Sequence, residues 1–149
     1  MFKTIKNQLI LLLISCFSIM NMNAQDLKKH QWENRIIIIK ATDIASKKQQ
    51  QQLKEFRDAS EEMIDRRFVV YVITRDDFRL INYKNSALNT SGKISEKLKN
   101  SLNPKEDFEV FLIGLDSGIK LQQTEVLTKI DLFKIVDSMP MRRNELRKN

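Results

Sequence analysis

Three nearly unbroken apolar runs constrain this chain most. Arg35-Ile36-Ile37-Ile38-Ile39-Lys40-Ala41 holds four consecutive isoleucines. Arg67-Phe68-Val69-Val70-Tyr71-Val72-Ile73-Thr74 and Phe108-Glu109-Val110-Phe111-Leu112-Ile113 follow the same pattern. Successive side chains on a strand point to opposite faces, so such runs bury both faces. That is the signature of central strands in a sheet covered on both sides. Only three glycines and two prolines in 149 residues argue against a loop-rich or disordered chain.

Between the first two runs, residues 45–64 place Leu53, Phe56, Ala59 (or Ser60), Met63 and Ile64 at spacings of three and four. This predicts one long helix. Thr42 or Asp43 would cap it, and Gln49–Gln52 and most charges would lie off its buried face. Strand, helix, strand is a βαβ unit with a right-handed crossover. In residues 76–103, Phe78, Leu80, Ile81 and Tyr83 form a short extra strand or pack in a loop. Ile94, Leu98 and Leu102 suggest a short helix that Pro104 ends. After the third run, Asp116-Ser117-Gly118 is turn chemistry with Gly118 suited to positive φ, and Ile119–Gln123 alternates as an edge strand. Ile130, Phe133, Ile135 (or Val136) and Met139 mark a last helix, stopped at Pro140.

The order is β-α-β-(α)-β-β-α. It predicts an α/β, thioredoxin-like three-layer sandwich on a mixed four-stranded sheet. The first strand lies between the second (parallel) and the third (antiparallel), with the fourth outermost.

Residues 1–24 read as a secretory signal. Lys3 and Lys6 precede the aliphatic run Leu9–Ile14, and Ala24 is a small residue before a cut ahead of Gln25. The apolar stretch is short for a membrane span, although an uncleaved anchor is the alternative. Leu13-Ile14-Ser15-Cys16 also resembles a bacterial lipobox, which would make Cys16 a lipidated first residue and tether the protein to a membrane. Cleavage after Ala24 is preferred because the apolar region ahead of Cys16 is short. The predicted organisation is signal 1–24, domain 25–143 and basic tail 144–149. The protein is periplasmic or secreted, or a membrane-anchored lipoprotein if Cys16 is lipidated.

Cys16 is the sole cysteine, so a chain cut after Ala24 has no thiol. Thiol exchange needs a thiolate and is excluded. The chain has 26 basic and 19 acidic side chains, a net of +7, which falls to +5 without Lys3 and Lys6. Much of this excess is local, in Arg142, Arg143, Arg147 and Lys148. His30 is the sole histidine and is placed outside the core, too few ligands for a transition metal or a Ser-His-Asp triad. There is no Gly-rich phosphate loop, and no cofactor is expected. Glu61-Glu62 and Asp76-Asp77 read as solvated charges and Asp116 as a turn residue.

Further residues carry a family likeness. These are Trp32-Glu33-Asn34-Arg35, then Phe108–Gly114 followed by Asp116, Gly118 and Lys120, and the ending Ile135-Val136-Asp137-Ser138-Met139-Pro140-Met141-Arg142-Arg143-Asn144-Glu145. Together they resemble the uncharacterised bacterial domain-of-unknown-function family 4174, across nearly all of the chain after the signal. The resemblance implies an exported thioredoxin-like domain and supplies no activity. The family commonly has Lys where this chain has Leu115. Relative to true thioredoxins, no Cys stands at the Ala41–Ser46 turn. Lys105-Glu106-Asp107 precedes the third strand without the proline that thioredoxins place there, Pro104 being too early.

The expected function is therefore an exported thioredoxin-like domain without redox activity, a binding or structural envelope protein. Its partner is an unknown protein or a small anionic ligand, and nucleic acid is not expected. One alternative is an enzyme using Thr42, Asp43 and Ser46 at the carboxyl end of the first strand, where open α/β sheets bind ligands. The other is an anion or acidic-partner binder through Arg142 and Arg143. Against that stands a structural role, with these arginines at a helix C-terminus, Met139 and Met141 sealing the core, and Trp32 covering it.

Overall fold

The computed structural model describes residues 27–148, so the signal segment and Cys16 lie outside the described residues. Six strands form one mixed sheet in the order β4-β3-β2-β1-β5-β6. They are β1 (Arg35–Ala41), β2 (Phe68–Thr74), β3 (Asp77–Asn82), β4 (Thr90–Lys93), β5 (Phe108–Ile113) and β6 (Ile119–Gln123). The helices are α1 (Lys47–Phe56), α2 (Ser60–Asp65), α3 (Glu96–Ser101), α4 (Lys129–Asp137) and α5 (Pro140–Lys148).

The three apolar runs are the central strands. β1 runs parallel to β2, with Ile37 opposite Val70, and antiparallel to β5, with Ile37 opposite Leu112. Both faces are buried. Ile37 and Ile39 pack with Val70, Val110, Leu112, Phe56, Met63, Leu132 and Val136 on one side. Ile36 and Ile38 pack with Val69, Tyr71, Phe111, Leu98 and Leu102 on the other. Each isoleucine so buried contributes about 1.5–3 kcal/mol.

The sheet has six strands where four were expected, because residues 76–93 supply β3 and β4. β2 turns into β3 through Arg75-Asp76, with Arg75 at φ 57°. The expected single helix over residues 45–64 is two. α1 ends at Phe56, and α2 starts after Ala59, whose φ of −116° lies outside the helical range. Ser46, rather than Thr42 or Asp43, caps α1 by accepting from the Gln49 amide.

Gln49 and Gln52 are buried, not solvent-facing as the helical pattern implied. Gln52 donates to the Leu127 carbonyl and accepts from the Leu127 amide, both at 2.7 Å. Gln49 donates to the Ile73 carbonyl at 3.0 Å and accepts from the Thr74 hydroxyl. These amides satisfy backbone groups of β2 and of the segment between β6 and α4.

α4 buries Leu132 and Val136, while Ile130 is 73% exposed, so its inner face is rotated from the expected one. It ends before Pro140 as expected, but Pro140 then opens a further helix, α5, which runs through the predicted tail. Proline suits a first helical position, where its missing N–H has no intrahelical partner to lose.

Candidate functional site

Most motif residues meet at one end of the sheet, where β1 begins and β5 ends. Antiparallel pairing puts Ile113 opposite Ile36, which brings Gly114 beside Arg35. The Trp32 amide donates to the Leu115 carbonyl at 2.7 Å and ties the approach to β1 to the β5–β6 turn. A cavity of about 290 Å³ opens here, lined by Arg35, Gly114, Leu115, Asp116, Lys120 and Met139–Met141.

The β5–β6 turn explains its two glycines. Lys120 Nζ pairs with Asp116 Oδ2 at 2.8 Å, and Asp116 Oδ1 accepts from the Gly118 amide at 3.0 Å. A Cβ on Gly114 would stand 2.5 Å from Lys120 Cε and 2.9 Å from Asp116 Oδ1. One on Gly118 would stand 3.2 Å from both Asp116 Oδ1 and Lys120 Nζ. The glycines thus make room for the ion pair to fold over the turn. Gly118 does not take the positive φ expected of it; Ser117 does, at 65°. The Lys120 hydrogen bond, then the Gly118 amide, hold the Asp116 carboxyl below its ordinary range.

Behind the cavity lies an ionic network. Arg35 is 1% exposed. Its Nη1 donates to the Arg66 carbonyl at 3.0 Å and to Glu145 Oε2 at 3.3 Å, and its Nη2 to Glu145 Oε1 at 3.2 Å. Arg142, 3% exposed, reaches Asp65, Asp137 Oδ1 (3.3 Å) and Glu145 Oε2 (3.4 Å). Its Nη1 also donates to the Asp65 carbonyl at 3.0 Å. Arg67 joins Glu145 at 2.5 Å, and Arg66 joins Asp137 at 2.7 Å while lying 4.3 Å above the Phe133 ring. Arg35 and Arg142 thereby satisfy carbonyls at the C-terminal end of α2. Burial pushes the Glu145 and Asp137 carboxyls up, but the hydrogen bonds and charges of their arginines outweigh it and hold both below the ordinary range.

These contacts separate the two tail arginines. Arg142 is committed inside the protein and is not a free anion-binding group, whereas Arg143 is exposed. The helix whose C-terminus they were expected to serve is α4, which ends at Asp137; both stand beyond it, in the first turn of α5, and Arg142 meets the Asp137 carboxylate there rather than a terminal carbonyl. The helix C-terminus that Arg142 does serve is that of α2. Trp32 is 58% exposed and does not cover the core, and Met141 is 39% exposed at the cavity.

At the other end of β1, the candidate polar groups are engaged locally. Thr42 donates to Asp107, Asp43 accepts from the Ala45 amide, and Ser46 caps α1. His30 is buried, contrary to its predicted place outside the core. Its Nδ1 lies 3.1 Å from Asn34 Oδ1 and its Nε2 2.8 Å from the Tyr71 hydroxyl. Burial lowers its pKa, which the Asn34 hydrogen bond only partly offsets. Among the described residues no cluster of His, Cys, Asp and Glu is arranged to hold a metal.

Sequence reasoning missed a second buried pair, Lys40 and Glu109, which face each other across β1 and β5. Lys40 Nζ donates to the carbonyls of Asn103 (2.8 Å) and Glu106 and lies 3.8 Å from Glu109 Oε2. Glu109 accepts from the Asn103 amide at 2.9 Å and from Gln122 at 3.0 Å. The available signal was a lone charge inside each of two apolar runs. Its partners show a structural brace for the 103–106 loop.

A family model described as "Domain of unknown function (DUF4174)" matches residues 26–145. The chain belongs to this family. The match spans every motif residue from Trp32 to Glu145, so the DUF4174 region includes both the cavity and the ionic network behind it. No curated protein and no solved structure matches the chain. The DUF4174 membership carries no activity with it, and the site has to be read from its own chemistry.

Proposed function

We propose that this chain is an exported thioredoxin-like domain that binds a ligand or partner and performs no thiol chemistry. The observation that carries this reading is the convergence of Arg35, Gly114, Asp116, Lys120 and Met139–Met141 on one cavity. Residues that serve only the core do not need to line an opening. Two further features support the reading. Within the six-stranded sheet, the neighbouring strands β2-β1-β5-β6, with β1 parallel to β2 and antiparallel to β5, support a thioredoxin-like reading. Cys16 is the only cysteine and falls in the segment with the three parts of a signal peptide, so the exported form would have no nucleophilic sulfur.

An enzyme using the carboxyl end of β1 is the weaker reading, because Thr42 already bonds the Asp107 carboxylate and Asp43 and Ser46 accept from backbone amides there.

The test starts with cell fractionation and the mass of the processed chain. The expected result is an envelope or secreted protein beginning at Gln25. A lipidated Cys16 would move it to a membrane and keep the export reading. Cross-linking capture is then run with the wild type and with Met141→Trp, which fills the cavity. The expected result is a bound species retained by the wild type and lost by the variant. An intact chain in the cytosol, or catalysed thiol–disulfide exchange, would overturn the proposal.

A further inference from the structure

The two faces of the sheet are covered unequally. The Ile37–Ile39 face packs under α1, α2 and α4, of ten, six and nine residues. Among the described residues, the helical cover of the Ile36–Ile38 face is α3, of six residues, and the 3₁₀ turn Lys28–His30, of three. β1 is apolar on both faces, so a short cover leaves aliphatic surface open. The gap is a cavity of about 310 Å³. Leu27, Ile36, Leu98 and Ile113 supply its apolar lining. Lys28 and Lys97 are its charged lining, and no carboxylate lines it. It shares no lining residue with the cavity at Arg35 and Met139–Met141.

Both lysines are exposed. Neither has an ion-pair partner among the described residues, whereas Lys93 and Lys99 pair with Asp77 and Asp76. Each stands beside a fixed point. His30 pins the turn that carries Lys28, with Nε2 2.8 Å from the Tyr71 hydroxyl and Nδ1 3.1 Å from Asn34 Oδ1. Lys97 precedes buried Leu98, whose amide donates to the Ser95 hydroxyl at 3.2 Å. The backbone of the rim is thus ordered before any ligand arrives, which lowers the cost of binding. Lysine stems can lie along apolar surface and keep the ammonium in water. A small inorganic anion would gain little at such exposed, screened charges. A plain hydrocarbon would use the floor and leave the charged rim idle.

We infer that this second cavity binds an amphiphilic anion, a single hydrocarbon chain with one anionic head. The chain lies against Leu27, Ile36, Leu98 and Ile113, and the head stands between the ammonium groups of Lys28 and Lys97. An ammonium is a point charge without a fixed fork, so it accepts a carboxylate or a phosphate head alike. The space is roughly twice that of a 150 Å³ cavity that accepts benzene, which suits a short chain.

The test is an NMR titration of the full protein, read at the methyls of Leu27, Ile36, Leu98 and Ile113. The probes are octanoate and octyl phosphate, with octanamide as the neutral control and acetate as a head without its chain. At least one anion should shift all four residues saturably, and the tighter of the two identifies the head. Octanamide and acetate should bind about fivefold more weakly or worse. Lys28→Gln combined with Lys97→Gln changes two exposed, unpaired side chains and should weaken the anion about fivefold at low salt, with octanamide unchanged. Ser101→Trp, at an exposed lining position, should fill the cavity and weaken every chain-bearing probe. Silent methyls, equal binding of octanamide, or undiminished binding by the double-lysine variant overturns the inference. Nuclear Overhauser contacts from residues before Leu27 to Ile36 or Leu98 overturn it too, because the chain would then fill its own cavity. An anion that moves Met139 and Met141 in place of these methyls overturns this site and supports the other cavity. The binding reading above is tested separately, since Met141→Trp fills only the cavity at Arg35.

Discussion

Adjacent residues here have opposite fates. Arg142 and Arg143 read identically in a sequence, as a basic pair after a proline. The structure buries one among Asp65, Asp137 and Glu145 and leaves the other exposed. Removing one member of a buried ionic cluster strands its partners. Arg142→Ala should therefore cost about 3 kcal/mol, at the low end for such losses because Asp65 and Asp137 are partly exposed. Arg143→Ala should stay within about 0.5 kcal/mol, as surface changes do. Urea unfolding of both variants measures the difference. Gly114 makes a second residue-scale case. Gly114→Ala sets a methyl against Lys120 Cε and should drive Lys120 off Asp116. The observable is the Asp116 carboxyl titration, which should rise towards an ordinary carboxylate value, with about 1 kcal/mol of lost stability from overpacking.

Elements were legible in the sequence wherever apolar periodicity alone decides them. β1, β2 and β5 needed no partner to be recognised, because a run apolar on both faces has few alternatives to a central strand. The β2–β3 hairpin was harder to see because its turn, Arg75-Asp76, has neither glycine nor asparagine to announce it. β4 was invisible because Thr90–Lys93 is exposed and has no apolar face to read. The pattern also failed on α1, where Gln49 and Gln52 look like solvent-facing polar residues and instead bind the backbone of β2 and of Leu127. Polar side chains inside a helix–sheet interface carry no periodicity signal; only the fold shows what they satisfy. Gln52→Leu should leave the Leu127 amide and carbonyl unpaired and cost roughly 3 kcal/mol, whereas exposed Gln51→Ala should change little. Thermal unfolding of the two variants compares them. The candidate site was half legible. Its residues were named from the family likeness, but their convergence on Arg35 depends on the β1–β5 register and on α5, and the sequence pattern predicted no helix after Pro140.

For the whole molecule, the ionic network and His30 set how stability depends on pH. The folded pKa values of Glu145 and Asp137 are depressed, so the unfolded chain takes up protons first as pH falls. Their stabilisation is present above an unfolded value of about 4 and is lost as pH drops through the folded values. The folded pKa of His30 is also lowered, so its contribution to stability starts to fall earlier, below about pH 6.5. Denaturant midpoints should be flat near pH 7.5, lower at pH 5.5 and much lower at pH 3.5. His30→Gln should abolish the first decline and keep the second. The most direct measurement of the central claim is a small-molecule fragment screen, read by arginine Nε–H and methionine-methyl NMR on the full protein. The account predicts that bound fragments shift Arg35, Met139 and Met141 together and leave Thr42, Asp43 and Ser46 unmoved. Fragments that cluster instead at the carboxyl end of β1, with Arg35 silent, would contradict it.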